Sequence, residues 1–172
     1  MVALSNSCVI ETIEEAMKLH KRYSTELLSF LGDLLVRGYE ATKVSRSTMH
    51  SLGIDEICKR CDIEEGGSCC AKGLENYYDS VLLLANLIVG VKLPVKRYAE
   101  NGCFFLGPDG CVLTFRHTIC VNYLCRAIYE KIGHENVVRV QKTCGEEMHL
   151  TFLICERIRE FLQHTGGNGA EI

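Results

Sequence analysis

The sequence lacks a strong charge of either sign. Its 19 Lys plus Arg stand against 22 Asp plus Glu, a formal net charge of −3. That balance leaves no electrostatic footprint for nucleic acid or for an acidic membrane surface. A membrane-spanning run is also missing: the longest apolar stretch, Val81–Val91, is interrupted by Asn86 and falls short of the ~20 residues that a bilayer crossing requires. Residues Met1–Ser7 have neither the basic nor the apolar section of a secretion signal, and the stretch after them is charged. A cytoplasmic location is the expectation. No GxGxxG, P-loop or GxSxG motif occurs, and neither does an internal repeat or low-complexity segment. Apolar residues at 47% suffice for a core, so the chain reads as one domain over residues 1–172.

Cysteine is what the chain has in excess, with eleven in 172 residues. A disulfide framework would require export, and an odd count leaves one thiol over. Thiols bound to metal are the better reading. Eight of them fall in two groups. The first is Cys58-Lys-Arg-Cys61, followed after seven residues by Cys69-Cys70; the second is Cys103, Cys111, Cys120 and Cys125.

Hydrophobic periodicity places helices on either side of these groups. Residues Ile10 to about Tyr39 read as one helix, with Ile13, Met17, Tyr23, Leu27, Leu31, Leu34 and Leu35 on a broad face, Ser7 as N-cap, Gly32 as a weak point and Gly38 as the stop. Ala41–Leu52 is polar enough to be a loop or a short second helix. Asp55–Gly73 has too many glycines for regular structure. Leu74–Val91 reads as helix, with Tyr77 and Tyr78 in the core. Within Glu100–Arg126 a turn is expected at Gly107-Pro108-Asp109-Gly110 and a short strand at Val112–Phe115. Glu146–Gln163 reads as a final helix with Phe152, Cys155, Ile158 and Leu162 inward, followed by a frayed tail from Gly166. The expected class is mainly α: a helical domain with two irregular cysteine-rich segments inserted between helices. Residues 1–55 form its N-terminal helical part, 56–126 the cysteine core, 127–165 the C-terminal helix and 166–172 the tail. Irregular segments this long are uncommon in compact domains unless something staples them.

A C-x2-C pair lets two thiolates converge on one metal. Gly66-Gly67, ahead of the adjacent pair, permits backbone conformations that a side chain would block. Cys120 and Cys125 would lie about 140° apart on a continuous helix, so both face one centre only if the helix is broken or begins between them. The chain has one C-x2-C knuckle where a zinc ribbon has two. Iron–sulfur clusters tolerate more varied spacing because the inorganic core spreads its corners over several ångströms. Either metal leaves negative charge on four thiolates, and Lys59, Arg60, Arg116 and Arg126 neighbour the ligands and could offset it.

The ordered elements Cys58-x2-Cys61, Cys69-Cys70, Cys103-Phe-Phe-Leu, Gly110-Cys111 and Arg116-x3-Cys120-x4-Cys125 resemble the YkgJ-type cysteine-cluster family over residues 56–126. Seven residues stand between Cys61 and Cys69 where the family has three, and His117, Val121 and Leu124 replace its Pro, Arg and second Pro. The resemblance implies a zinc- or iron-chelating domain. Its metal ligands would be Cys58, Cys61, Cys69, Cys70, Cys103, Cys111, Cys120 and Cys125, holding zinc or an iron–sulfur cluster such as [4Fe-4S]. A related pattern occurs in larger flagellin lysine methylases, and this is the one enzymatic precedent the resemblance offers. The alternative function is therefore an iron–sulfur-dependent redox or methyl-transfer component. No catalytic constellation is visible beyond the thiols. Of the remaining cysteines, Cys155 reads as core, Cys8 as unengaged, and Cys144 as surface or core, with a reserve ligand or a reactive thiol at a helix start as the alternative. His117 reads as exposed or as support for the ligands, and Glu146-Glu147 as a solvated helix start. The only partner expected is the metal or cluster.

Overall fold

A computed structural model describes residues 6–64 and 69–167. Gly66-Gly67 and the end of the tail lie outside them, and so does the side chain of Cys8. The chain is mainly helical: α1 (Asn6–Leu31), α2 (Asp33–Ser51), α3 (Ile54–Glu64), a 3-10 turn (Leu74–Tyr77), α4 (Ser80–Ile88), strands β1 (Leu106–Gly107) and β2 (Gly110–Cys111), α5 (Thr118–Asn122) and α6 (Arg126–Gly167). Among the described residues no helix is long and apolar enough to cross a membrane.

The expected first helix is two. Gly32 adopts φ 46° and ψ −127°, a conformation outside the helical region that breaks the chain between α1 and α2. Ser7 lies inside α1 instead of capping it. The polar stretch expected as loop or short helix is the body of α2. Its buried face is Leu35, Gly38, Thr42, Ser45 and Thr48, spaced three and four apart but made mostly of small residues. That composition hides the face from a search for apolar periodicity, yet it lets α2 lie close against α6, its main partner. Gly38 is therefore no helix stop. A Cβ there would sit 2.5 Å from Ile154 Cδ1 and 3.1 Å from Phe115 Cε1.

Leu74–Val91 is likewise interrupted. Asp79 caps α4 by accepting a 2.8 Å hydrogen bond from the Leu82 amide. Tyr78, just ahead, is buried while Tyr77 is exposed. The last helix begins twenty residues sooner than Glu146, at Arg126, with a break at Gly133 (φ 74°, ψ 164°). Its inward side carries Val140, Cys144, Glu147, Leu150, Ile154 and Ile158, whereas Phe152 is exposed. The turn at Gly107–Gly110 is present, but the strands flank it at Leu106–Gly107 and Gly110–Cys111 and not at Val112–Phe115.

Two hydrophobic clusters result. The larger joins α1, α2, α4 and α6 around Leu27, Leu83, Leu84, Ile154 and Ile158, and also takes in Phe104, Phe105, Leu113 and Phe115 from the second cysteine segment. The smaller gathers Ile54 and Ile57 of α3, Val121 of α5, and Ile128, Val140 and Cys144 of α6. Expectation and structure part here twice. The first cysteine segment is helical through Glu64, and the second supplies four of the most buried apolar side chains.

Buried polar side chains fasten the second segment. Asn86, the residue that interrupts the apolar run, donates to the Phe115 carbonyl and accepts from the Phe115 amide, both at 2.9 Å. Arg46 of α2 donates to the carbonyls of Cys111 and Leu113. Arg116 meets Glu147 through a fork, at 2.9 Å from Nη2 to Oε2 and 3.2 Å from Nε to Oε1. Glu147, read above as part of a solvated pair, is completely buried.

Two substitutions test this account. Glu147→Ala leaves the Arg116 charge buried and unpaired, which should cost about 3–5 kcal/mol and lower Tm by roughly 2–4 °C for each kcal/mol. Gly38→Ala should cost about 1–3 kcal/mol by wedging α2 from α6. Urea titrations measure both, and an undiminished midpoint in either variant contradicts the corresponding contact.

Candidate metal centre

The site is assembled from three places in the chain. The first is α3, which carries Cys58 and Cys61 one turn apart and so on one face of the helix. The second is a short antiparallel bridge that pairs Ala71 with Gly102. Lys72 N donates to Asn101 O at 2.7 Å and Cys103 N to Cys70 O at 2.6 Å. Thirty-odd residues of sequence are thereby closed, and the backbones of Cys70 and Cys103 lie side by side. The third is the stretch from the β-hairpin to α6. The hairpin sets Cys111 opposite Leu106. α5 carries Cys120, and the helix breaks at Tyr123–Leu124 so that Cys125 stands immediately before α6. This break is the condition under which Cys120 and Cys125 can face a common region.

The bridge is locked by a buried ion pair. Glu75 in the 3-10 turn accepts from the amides of Gly73 (3.0 Å) and Phe104 (3.3 Å) and pairs with Arg97. Arg97 in turn donates to the Gly102 carbonyl at 2.6 Å. Burial opposes the charge on Glu75, but Arg97 and these amides outweigh it and hold the carboxyl below its ordinary range.

All eight predicted ligands stand as thiols, not disulfides. Cys103 is buried, Cys69 is exposed, and the other six are half-buried. Burial pushes the Cys58 thiol up to about 11, and the charges of Cys69, Cys125 and Cys61 add to it. Cys70 is pushed up to about 12 by burial and then by Cys111, Cys69 and Cys120. Cys103 also rises to about 12, against the pull of the Phe105 amide and with Cys111 and Cys120 nearby. Cys120 is raised by burial, and the Tyr78 hydroxyl lies 3.5 Å from its sulfur. Neutral thiols that suppress one another's ionisation are what a cation would reverse. Among the described residues, however, no group of three or more His, Cys, Asp or Glu side chains is arranged to hold a metal ion. Coordination requires these thiols to draw together from their present positions.

Expectations about the surroundings are revised. Arg126 is exposed and bonded to Glu130. Arg116 pairs with Glu147 and also acts on the thiols as expected: burial alone would lower its guanidinium, Glu147 and then Cys111 and Cys144 raise it, and its charge pulls against the rise of Cys120. The cation beside Cys111 that sequence reasoning missed is Arg46, whose helix gave no signal of approaching the cysteines. His117 is a helix cap, its Nδ1 accepting from the Ile119 amide at 3.2 Å while its own amide donates to the Tyr78 hydroxyl at 3.0 Å. Cys144 is not at a helix start. It lies within α6, buried, 3.5 Å from the Ser45 hydroxyl, and burial raises its thiol. Cys155 is core as expected, and burial lifts it to about 12.

A cleft of about 220 Å³ runs beside α5, lined among others by Asp79, Arg116, His117, Thr151 and Arg159. Asp79 caps α4 and pairs with Arg159 at 2.6 Å, and His117 caps α5. Its charged groups, with His117, are committed to holding structure.

No family model, no curated protein and no solved structure matches this chain.

Proposed function

We propose that this chain is a cytoplasmic metal-binding protein that holds an iron–sulfur cluster or zinc through the thiolates of Cys58, Cys61, Cys69, Cys70, Cys103, Cys111, Cys120 and Cys125. On this reading it is a divergent relative of the YkgJ-type cysteine-cluster proteins. The observation that carries the reading is the bridge at Ala71 and Gly102, which brings two cysteine groups far apart in sequence to one region of the fold. The donor set suits the proposal: thiolates are soft ligands that favour zinc and iron–sulfur centres over hard cations. When bound, the metal would replace the protons these thiols carry and tie α3, the bridge and α5 together. The redox or methyl-transfer alternative expects an open ligand position and a substrate pocket with placed acids or bases; in the cleft beside α5, Asp79, Arg116, His117 and Arg159 are engaged in holding structure.

Metal content is the direct test. Protein purified without air should carry zinc, or iron with inorganic sulfide, by elemental analysis, and a cluster would absorb broadly near about 400 nm. A folded, fully reduced and metal-free protein would falsify the proposal.

Thiol labelling separates ligation from burial. In the loaded protein the eight cysteines should resist iodoacetamide, and chelation should open the exposed Cys69 and then Cys58. Cys144 and Cys155 should stay unlabelled with or without metal, because packing alone protects them. Labelling of Cys69 in the loaded protein as fast as in the chelated one removes it from the ligand set.

Hydrogen exchange locates the stability that metal contributes. Chelation should loosen 56–73 and 118–125 first. Residues 104–116 should keep most of their protection, since Phe104, Phe105, Leu113 and Phe115 are in the main core. If 104–116 opens together with α3, the core contacts do not hold that segment by themselves.

A further inference from the structure

We propose that the eight thiols form two separate four-thiolate centres: Cys58, Cys61, Cys69 and Cys125 on the α3 side, and Cys70, Cys103, Cys111 and Cys120 against the main core, with the Cys69–Cys70 peptide as the boundary. The inference rests on the metal-binding reading above and adds to it how the ligands are divided.

Packing divides the thiols first. Cys58 and Cys125 lie against the smaller hydrophobic cluster, beside Ile54, Ile57 and Ile128. Cys103, Cys111 and Cys120 lie against the larger one. Backbone geometry assigns two more. Cys61 follows Cys58 by one helical turn, on the same face of α3. Cys70 is hydrogen-bonded through its carbonyl to the amide of Cys103. The adjacent pair then separates, with Cys69 exposed and Cys70 half-buried.

Cys69, left over once Cys70 is assigned to the bridge, completes the set of four on the α3 side. Stoichiometry points the same way. A zinc ion takes four ligands, so one centre would leave four thiols without a role.

The two centres would also differ in setting. The first is built on α3 and the residue before α6, with an exposed ligand in Cys69. The second is enclosed by the bridge, the hairpin and Tyr78, whose hydroxyl lies beside Cys120. The α3-side centre should therefore be the more easily emptied.

The test uses the whole chain, reduced, stripped of metal and titrated with zinc. Two zinc ions per chain are expected. Stepwise chelation with iodoacetamide present, read by peptide mass spectrometry, should label Cys58, Cys61, Cys69 and Cys125 as one block before the other four. The double variant Cys58→Ser/Cys125→Ser should retain one zinc, with Cys61 and Cys69 labelled and Cys70, Cys103, Cys111 and Cys120 still protected. The double variant Cys111→Ser/Cys120→Ser should give the reverse. One zinc per chain, or labelling blocks that mix the two sets, overturns the division while leaving metal binding intact. No zinc bound at all overturns the metal-binding reading and the division with it. Because stepwise chelation is performed on the unaltered chain, the result stands even if a variant fails to fold.

Discussion

The buried pair of Arg116 and Glu147 is the interaction on which the cysteine region depends. A carboxylate with no exposure, in the middle of a long helix, is tolerable only with a partner that can use both of its oxygens. Arg116 supplies that fork and so fixes the residue that leads from Phe115 into α5. From there the positions of Cys120 and Cys125 follow, since α5 is five residues long and three residues join it to α6. Buried ion pairs are weak sources of net stability, yet breaking one is expensive. A pair in this position therefore acts chiefly to exclude other placements of the segment.

The same logic recurs around the site. Glu75 and Arg97 lock the bridge, Asn86 grips both polar groups of Phe115, and Arg46 reaches two carbonyls beyond the hairpin. The chain between Gly102 and Arg116 has almost no regular secondary structure, and its backbone groups need partners from elsewhere. Helices α2 and α4 and the 3-10 turn supply them through the side chains of Arg46, Asn86 and Glu75. Apolar residues on the same segment, Phe104, Phe105, Leu113 and Phe115, supply the burial. A metal would thus be added to a region that protein contacts already organise on one side.

The close approach of α2 to α6 has a further consequence. Gly38, Thr42 and Ser45 let the two helices meet without bulky side chains between them. This closeness places Ser45 against Cys144 and brings Arg46, the next residue, to the hairpin exit beside Cys111. Packing of small residues and the electrostatics of the thiol region are therefore linked through one turn of α2.

Much was legible in the sequence where a pattern was local. Long apolar faces marked α1 and the end of α6, and Gly107-Pro108-Asp109-Gly110 marked its turn. What failed did so for physical reasons. A buried face of Gly, Thr and Ser looks like a loop, because periodicity is read from large apolar residues. Glu147 and Asn86 look solvated or disruptive, because their partners Arg116 and Phe115 come from about thirty residues away. Cys144 was placed ahead of a helix because the helix around it was expected to start later than it does. By itself the sequence determined that the chain is helical and rich in clustered thiols; only the tertiary structure decided which thiols are neighbours. The spacing of cysteines along a chain constrains their approach weakly, whereas a four-residue backbone bridge and two buried ion pairs constrain it strongly.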